Sequence, residues 1–266
     1  MQEQIAVDKP DAQFVEAMAR FLKAKSKGWK ESNAVLIKEF INTFQCFCDN
    51  CERIPKRALN VYAPFLVEKL GDVKCTKLVK ELLNALCEFL TSKFTAQQVL
   101  KHAMGAKAVN VLKESALWLA EIVEEWGADK VPVKECIDFA IVANAHTNKD
   151  VRNNGMTMIC NLYKHMGDRL KPFLSEIKES TLKVINAELT KITPYAKNEF
   201  KAAKQLKGEA AEESKDAKAG DGIDMPKRDI SKQLGSKLLE GFKSKQPQER
   251  QKTCEAISAI LTSSGL

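Results

Sequence analysis

The sequence predicts an all-α fold built from stacked antiparallel helix pairs, and three observations carry that prediction. Apolar residues recur with a helical period along most of the chain. Twelve Gly and eight Pro in 266 residues are too few turn residues for a many-stranded β fold. Polar or glycine breaks near residues 27, 73, 108 and 149 recur at an interval of roughly 40 residues. That interval is typical of HEAT or armadillo hairpins, which bury their apolar faces only by stacking. A compact helical bundle is the alternative, but it does not demand a break at the same point of each pair.

The elements follow in order. "DAQFVEAMARFLKA" places Phe14, Val15, Met18, Phe21 and Leu22 on one face. "ESNAVLIKEFINTFQCF" forms a second stripe from Val35, Leu36, Phe40 and Phe44. In "RALNVYAPFLVEKL", Pro64 is expected to bend the helix or end a turn. "KLVKELLNALCEFL" follows the break "GDVKCT". "TAQQVLKHAM" opens on Thr95, read as an N-cap, and its partner "NVLKESALWLAEIVEEWG" ends at Gly127. "VPVKECIDFAIVANAH" carries Pro132 in its first turn, where proline is tolerated, and "VRNNGMTMICNLYKHMG" follows the break "TNKD". A last helical stretch starts at "RLKPFL" and is expected to continue to about Lys207.

Residues 1–207 are thus expected to form one HEAT-type domain. Residues 208–226, poor in large apolar side chains, read as a flexible linker. Residues 227–266 read as one further helical hairpin.

Composition narrows the function. The net charge is +7 and the isoelectric point about 8.9, which favours an acidic partner without choosing one. No apolar run reaches the roughly 20 residues of a membrane span, and the N-terminus lacks the pattern of a signal peptide. The eight cysteines are therefore read as thiols of a reducing compartment. Cys46, Cys48 and Cys51 of "CFCDNC" diverge on a helix, and none of the three histidines has finger-like spacing, so no metal or other cofactor is expected. Glycine-rich phosphate loops, G-x-S-x-G and H-E-x-x-H are absent, and paired acids such as Glu124–Glu125 diverge on a helix. A non-enzymatic role is expected.

In a stack of hairpins, the turns inside the pairs share one edge. The basic residues falling there are Lys25, Lys27 and Lys30, then Lys74 and Lys77, then Lys107, then Lys149 and Arg152. Lys243 and Lys245 hold the corresponding place in the C-terminal hairpin. Asp72 with Lys74 and Asp150 with Arg152 could instead bridge neighbouring repeats, as such pairs do in many HEAT arrays. Trp29 stands in a polar turn with no helix face to bury it, so it reads as an exposed contact residue. Trp118 and Trp126 read as core.

The stretches "KSKGWKESNAVLIKEF", "VEKLGDVKCTKLVKELLNAL", "ESALWLAEIVEEWG" and "NKDVRNNGMTMICNLYKHMGDRLKPFL" resemble a TOG domain. This is the tubulin-binding HEAT module of microtubule polymerases at spindle poles, centrosomes and plus ends. The likeness is to a middle domain of the multi-TOG proteins, with a nematode member as one candidate source. It implies tubulin binding through the intra-repeat turns by Trp29, Lys30, Lys74, Lys77, Lys107, Lys149 and Arg152. It also implies tubulin heterodimers and microtubules as partners, and a coiled-coil spindle or centrosome adaptor for the full-length protein. The location it implies is the cytoplasmic cytoskeleton at spindle pole and centrosome, with no nucleic acid or membrane as target.

Two other readings compete. A nucleic-acid-binding HEAT-like protein, such as a base-excising glycosylase, fits the charge but needs an acid among aromatic residues in a cleft. A peptide-binding solenoid scaffold would use its inner helix faces rather than its turns.

Overall fold

The computed structural model describes residues 10–175, 177, 179–196 and 199–207, with positions 248, 249, 251–253 and 256 beyond them. The chain divides into two units, Met1–Asp224 and Met225–Leu266, and the elements below belong to the first. The expected linker at 208–226 lies outside the described residues, as does most of the expected hairpin at 227–266.

The helices, numbered in chain order, are α1 (Ala12–Lys25), α2 (Ala34–Asn50), α3 (Lys56–Leu70), α4 (Thr76–Leu90), α5 (Ser92–Ala103), α6 (Val109–Trp126), α7 (Val133–Asn144), α8 (Lys149–Met166) and α9 (Glu179–Leu189). Their ends follow local chemistry. Asp11, Asn33 and Asn148 accept backbone N–H groups at the starts of α1, α2 and α8. Thr91, not the expected Thr95, caps α5 by accepting from the Phe94 N–H. Thr95 lies one turn further on, buried, donating its hydroxyl to the Thr91 carbonyl. Gly127 ends α6 at φ +87°, a conformation that a side chain would oppose. Helix α3 continues past Pro64, so the helix does not end there.

Helices α1, α3, α5 and α7 pack successively in one row; α2 packs on α4, and α6 on α8, in the second. The helices within the pairs α3/α4, α5/α6 and α7/α8 also touch. Trp118 and Trp126 are buried, as the periodicity predicts.

Corrections fall at the first pair. Val15, Ala19 and Leu22 form the buried stripe of α1, while Phe14 and Phe21 are 43% and 49% exposed. In α2 the buried set is Ile37, Ile41, Phe44, Phe47 and Cys48, while Val35 and Leu36 stand in solvent. Among the described residues α1 ends its row with α3 as its principal packing partner, so its broad apolar surface is covered on one side.

Polar contacts between second helices set the stacking register. Trp118 Nε1 donates to Asn84 Oδ1 at 2.8 Å, and Lys80 pairs with Glu114 and Glu121. On the next interface, Asn154 Nδ2 donates to the Lys113 carbonyl and Asn161 Nδ2 to that of Ala120, while Lys164 pairs with Glu124. These contacts span 34 to 41 residues, so the second helices run side by side in a common direction.

The expected helix to Lys207 stops at Leu189. Pro172 falls inside a 3₁₀ segment, Gly167–Leu174, that separates α8 from α9. After α9 the chain forms a non-helical strap, described at 192–196 and 199–207, that turns back across the ends of earlier repeats.

Candidate functional site

The intra-repeat turns lie at the N-terminal ends of the second helices, and the side-by-side register of those helices brings the turns to one edge. Helix N-termini carry partial positive charge. Neither α4 nor α6 has a side-chain cap on its first N–H groups. The edge therefore joins helix-dipole charge to lysine charge, a contribution that the sequence reading missed.

The first turn overturns the expectation of an exposed tryptophan. Lys27, Gly28 and Trp29 all have positive φ (52°, 77° and 74°). The buried Ser26 organises them: its hydroxyl accepts from the Trp29 N–H and donates to the Lys23 carbonyl, and its carbonyl accepts from the Lys30 N–H. This winding turns the indole inward, leaving Trp29 only 4% exposed. The indole stacks on Phe65 at 4.8 Å, meets Phe40, Phe44 and Tyr62 edge-on, and donates Nε1–H to the Val61 carbonyl at 3.0 Å. Non-glycine residues at such φ values cost about 1–3 kcal/mol each. Burying an indole in an aromatic box offsets that strain. Trp29 thus supports the turn from inside, while Lys27 and Lys30 point to solvent.

In the second turn, Asp72 Oδ1 accepts from the Lys74 N–H at 3.0 Å and Thr76 Oγ1 donates to the Leu70 and Asp72 carbonyls. A Cβ on Gly71 would lie 2.6 Å from Val111 Cγ2 and 2.8 Å from Val111 N, so glycine permits the close approach of this turn to α6. Lys74 and Lys77 are exposed, and Val73 between the two helices is 85% exposed. The third turn exposes Lys107 flanked by Met104 and Val109. In the fourth, Lys149 is exposed, while Arg152 Nη1 donates to the His146 and Thr147 carbonyls at 3.0 and 2.6 Å.

The two Asp–base pairs do not form the inter-repeat ladder considered from sequence. Asp72 braces its own turn, and Arg152 spends its guanidinium on its own turn. Asparagines and Lys–Glu pairs on the second helices fill the inter-repeat role instead. Among the described residues no ion pair engages Lys30, Lys74, Lys107 or Lys149; Lys77 has a loose pairing with Glu81 at 3.9 Å. The sequence reading also missed Val73, Met104 and Val109, whose exposure makes the edge partly apolar. A lone apolar residue inside a turn carries no periodic signal.

Elsewhere, Cys48 and Cys51 are buried and Cys46 half-buried, and burial pushes all three thiols up. His165 lies against the strap near the C-terminal end of α8, away from the turns, and burial lowers its pKa.

Stacked helix pairs with a basic, partly apolar turn edge define a HEAT-type binding domain. The chain belongs to the XMAP215/Dis1/CLASP TOG-domain family, whose sequence model matches residues 2–189. It is 26% identical over 249 residues to the protein MOR1 of Arabidopsis thaliana, a match covering 93% of this chain and 12% of that relative. The chain thus spans about an eighth of the length of that relative. Among solved structures it is similar to TOG3 of Drosophila melanogaster Mini spindles, with a TM-score of 0.65, 21% identity, and coverage of 77% of this chain and 91% of the other. A structure described as the basis of tubulin recruitment and assembly by microtubule polymerases with TOG domain arrays aligns at a TM-score of 0.56 and 16% identity, over 96% of this chain and 51% of its own. Both structural likenesses concern the fold.

Proposed function

We propose that this chain is a non-catalytic tubulin-binding module of a microtubule-associated protein that promotes microtubule assembly at spindle poles and centrosomes. One observation supports it most: lysines with no ion pair among the described residues share, with exposed apolar side chains, the edge that carries the N-termini of the second helices. Such an edge suits an acidic protein surface such as tubulin. Lys30, Lys74, Lys77, Lys107 and Lys149 steer and orient the partner, and Val73 supplies a desolvated contact. Trp29 contributes by holding the first turn, and Arg152 by holding the fourth. The partners are tubulin heterodimers and microtubules, with a coiled-coil adaptor for the full-length protein. One domain binds modestly, and several in tandem gain effective concentration.

Titration with labelled tubulin heterodimers at low and physiological salt tests the reading. Saturable binding that weakens as salt rises is expected. Absence of binding at low salt contradicts it. Tighter, salt-steep binding to duplex DNA in a parallel gel shift would favour the nucleic-acid reading instead.

A further inference from the structure

The edge opposite the basic turns has chemistry of its own. The C-terminal ends of α4, α6 and α8 lie there, with terminal carbonyls that have no partner within their helices. The strap supplies partners in reverse repeat order. The Tyr195 N–H donates to the Lys164 carbonyl at 2.8 Å, the Ala203 N–H to that of Glu125 at 2.9 Å, and the Lys207 N–H to that of Glu88 at 2.7 Å. Three consecutive second helices are therefore each bonded by the strap.

Side chains add two anchors. At the α8 end, Tyr195 and Phe200 pack against His165 at 5.0 and 4.3 Å, and Tyr195 Oη donates to Glu124 at 3.2 Å. Phe200 also lies over Gly127, where a Cβ would come within 2.9 Å of the ring. At the α4 end, Lys204 and Lys207 both reach the Glu88 carboxylate, at 3.9 and 2.5 Å. That carboxylate raises the Lys207 pKa. Helix C-termini carry partial negative charge, and Glu124, Glu125 and Glu88 add to it. Among the described residues, one oxygen of Glu125 is buried with no hydrogen-bond partner.

We infer that the C-terminal ends of α4, α6 and α8 form an acidic docking seam for a non-helical, lysine-bearing peptide with two aromatic anchors, and that residues 192–196 and 199–207 are its resident ligand, acting as one clasp across three repeats. The inference goes beyond the tubulin reading and does not depend on it. A cooperative clasp holds the second helices at a fixed stagger, and a competing basic segment gains entry only when the whole strap leaves.

Hydrogen exchange on the full chain tests this. In the unmodified protein the Tyr195, Ala203 and Lys207 amides are expected to exchange slowly. Lys204→Glu with Lys207→Glu breaks the anchor at one end only. A clasp predicts faster exchange at all three amides by about tenfold or more, including Tyr195 at the far anchor. Adding Glu88→Lys restores the attraction and should recover protection. Phe200→Ala, at the opposite anchor, should release Lys207 in the same way. Exchange that rises only beside the substituted residues, or amides already unprotected in the unmodified chain, overturns the inference.

Discussion

The indole of Trp29 stacks on the ring of Phe65 at 4.8 Å with an interplanar angle of 26°, which places the most conspicuous turn residue inside the core. A surface tryptophan would be a candidate for direct contact. This one ties the first turn to α3 through both its ring and its Nε1 bond to the Val61 carbonyl.

Trp29→Ala is expected to destabilise the domain by about 3–5 kcal/mol through the cavity it leaves. That is a large part of the roughly 5–15 kcal/mol that separates folded from unfolded domains. Chemical denaturation measures it. Because Trp29, Trp118 and Trp126 are all buried, tryptophan emission should also resist quenching by iodide and shift little on tubulin binding. Strong quenching in the folded protein would show the indole outside.

Gly155→Ala sets two effects against each other. Alanine favours a helix over glycine by about 1 kcal/mol. The new Cβ, however, would lie 2.9 Å from Ala143 Cβ and 3.1 Å from the Ala140 carbonyl. Separating α7 from α8 to admit it costs about 1–3 kcal/mol. Net destabilisation is expected, read as a lower melting temperature; a stabilised variant would show that the two helices have room.

The strap should loosen in acid. Burial lowers the His165 pKa from its ordinary 6.5, opposed by Glu124 and Asp129 and assisted by Lys164. Tyr195, Phe200 and the Val123 carbonyl complete its surroundings. The unfolded chain thus takes up the proton more readily than the folded one. The contribution of neutral His165 is fully present above about pH 6.5 and is lost as pH falls through the lowered folded value. Exchange at the Tyr195 amide should quicken between pH 7 and 5 beyond the intrinsic dependence, and His165→Phe should flatten that change. A pH dependence that survives in His165→Phe would assign it to another group.

Val73→Asp should weaken tubulin binding about tenfold while leaving stability nearly unchanged, since its side chain is 85% exposed. Binding isotherms beside thermal melts separate the two effects. Unaltered affinity would remove Val73 from the contact surface.

The repeat architecture was legible because the breaks recur and because glycines and caps punctuate the helices; Gly127 and the buried Trp118 and Trp126 behave as the pattern says. Trp29 was misread because its box takes walls from α2 and α3, Phe40, Phe44, Tyr62 and Phe65, and no single-helix pattern shows that they converge. Phe14 and Phe21 satisfy helical periodicity yet stay largely exposed, Phe14 meeting only the Phe47 ring of α2 edge-on among the described ring pairs, since periodicity reports an apolar face and not its neighbour. The strap was invisible as such: non-helical chain bonded to helix ends has no period, and its stretch blended into the α9 pattern. Of the turn residues, exposure of the lysines followed from placement, whereas the internal duty of Arg152 appears only with its carbonyl partners.

The proposed function requires that location on the turn edge, not net charge, directs binding. The most direct measurement compares tubulin affinity for Lys77→Glu with Lys149→Glu against Lys93→Glu with Lys134→Glu. Both double variants change the net charge equally, and all four lysines are exposed. The second pair stands at the N-terminal ends of first helices, on the opposite edge. The turn-edge pair should lose affinity by about tenfold or more, while the opposite pair stays within about threefold of the unmodified chain. Equal losses in both would show that net charge alone governs binding.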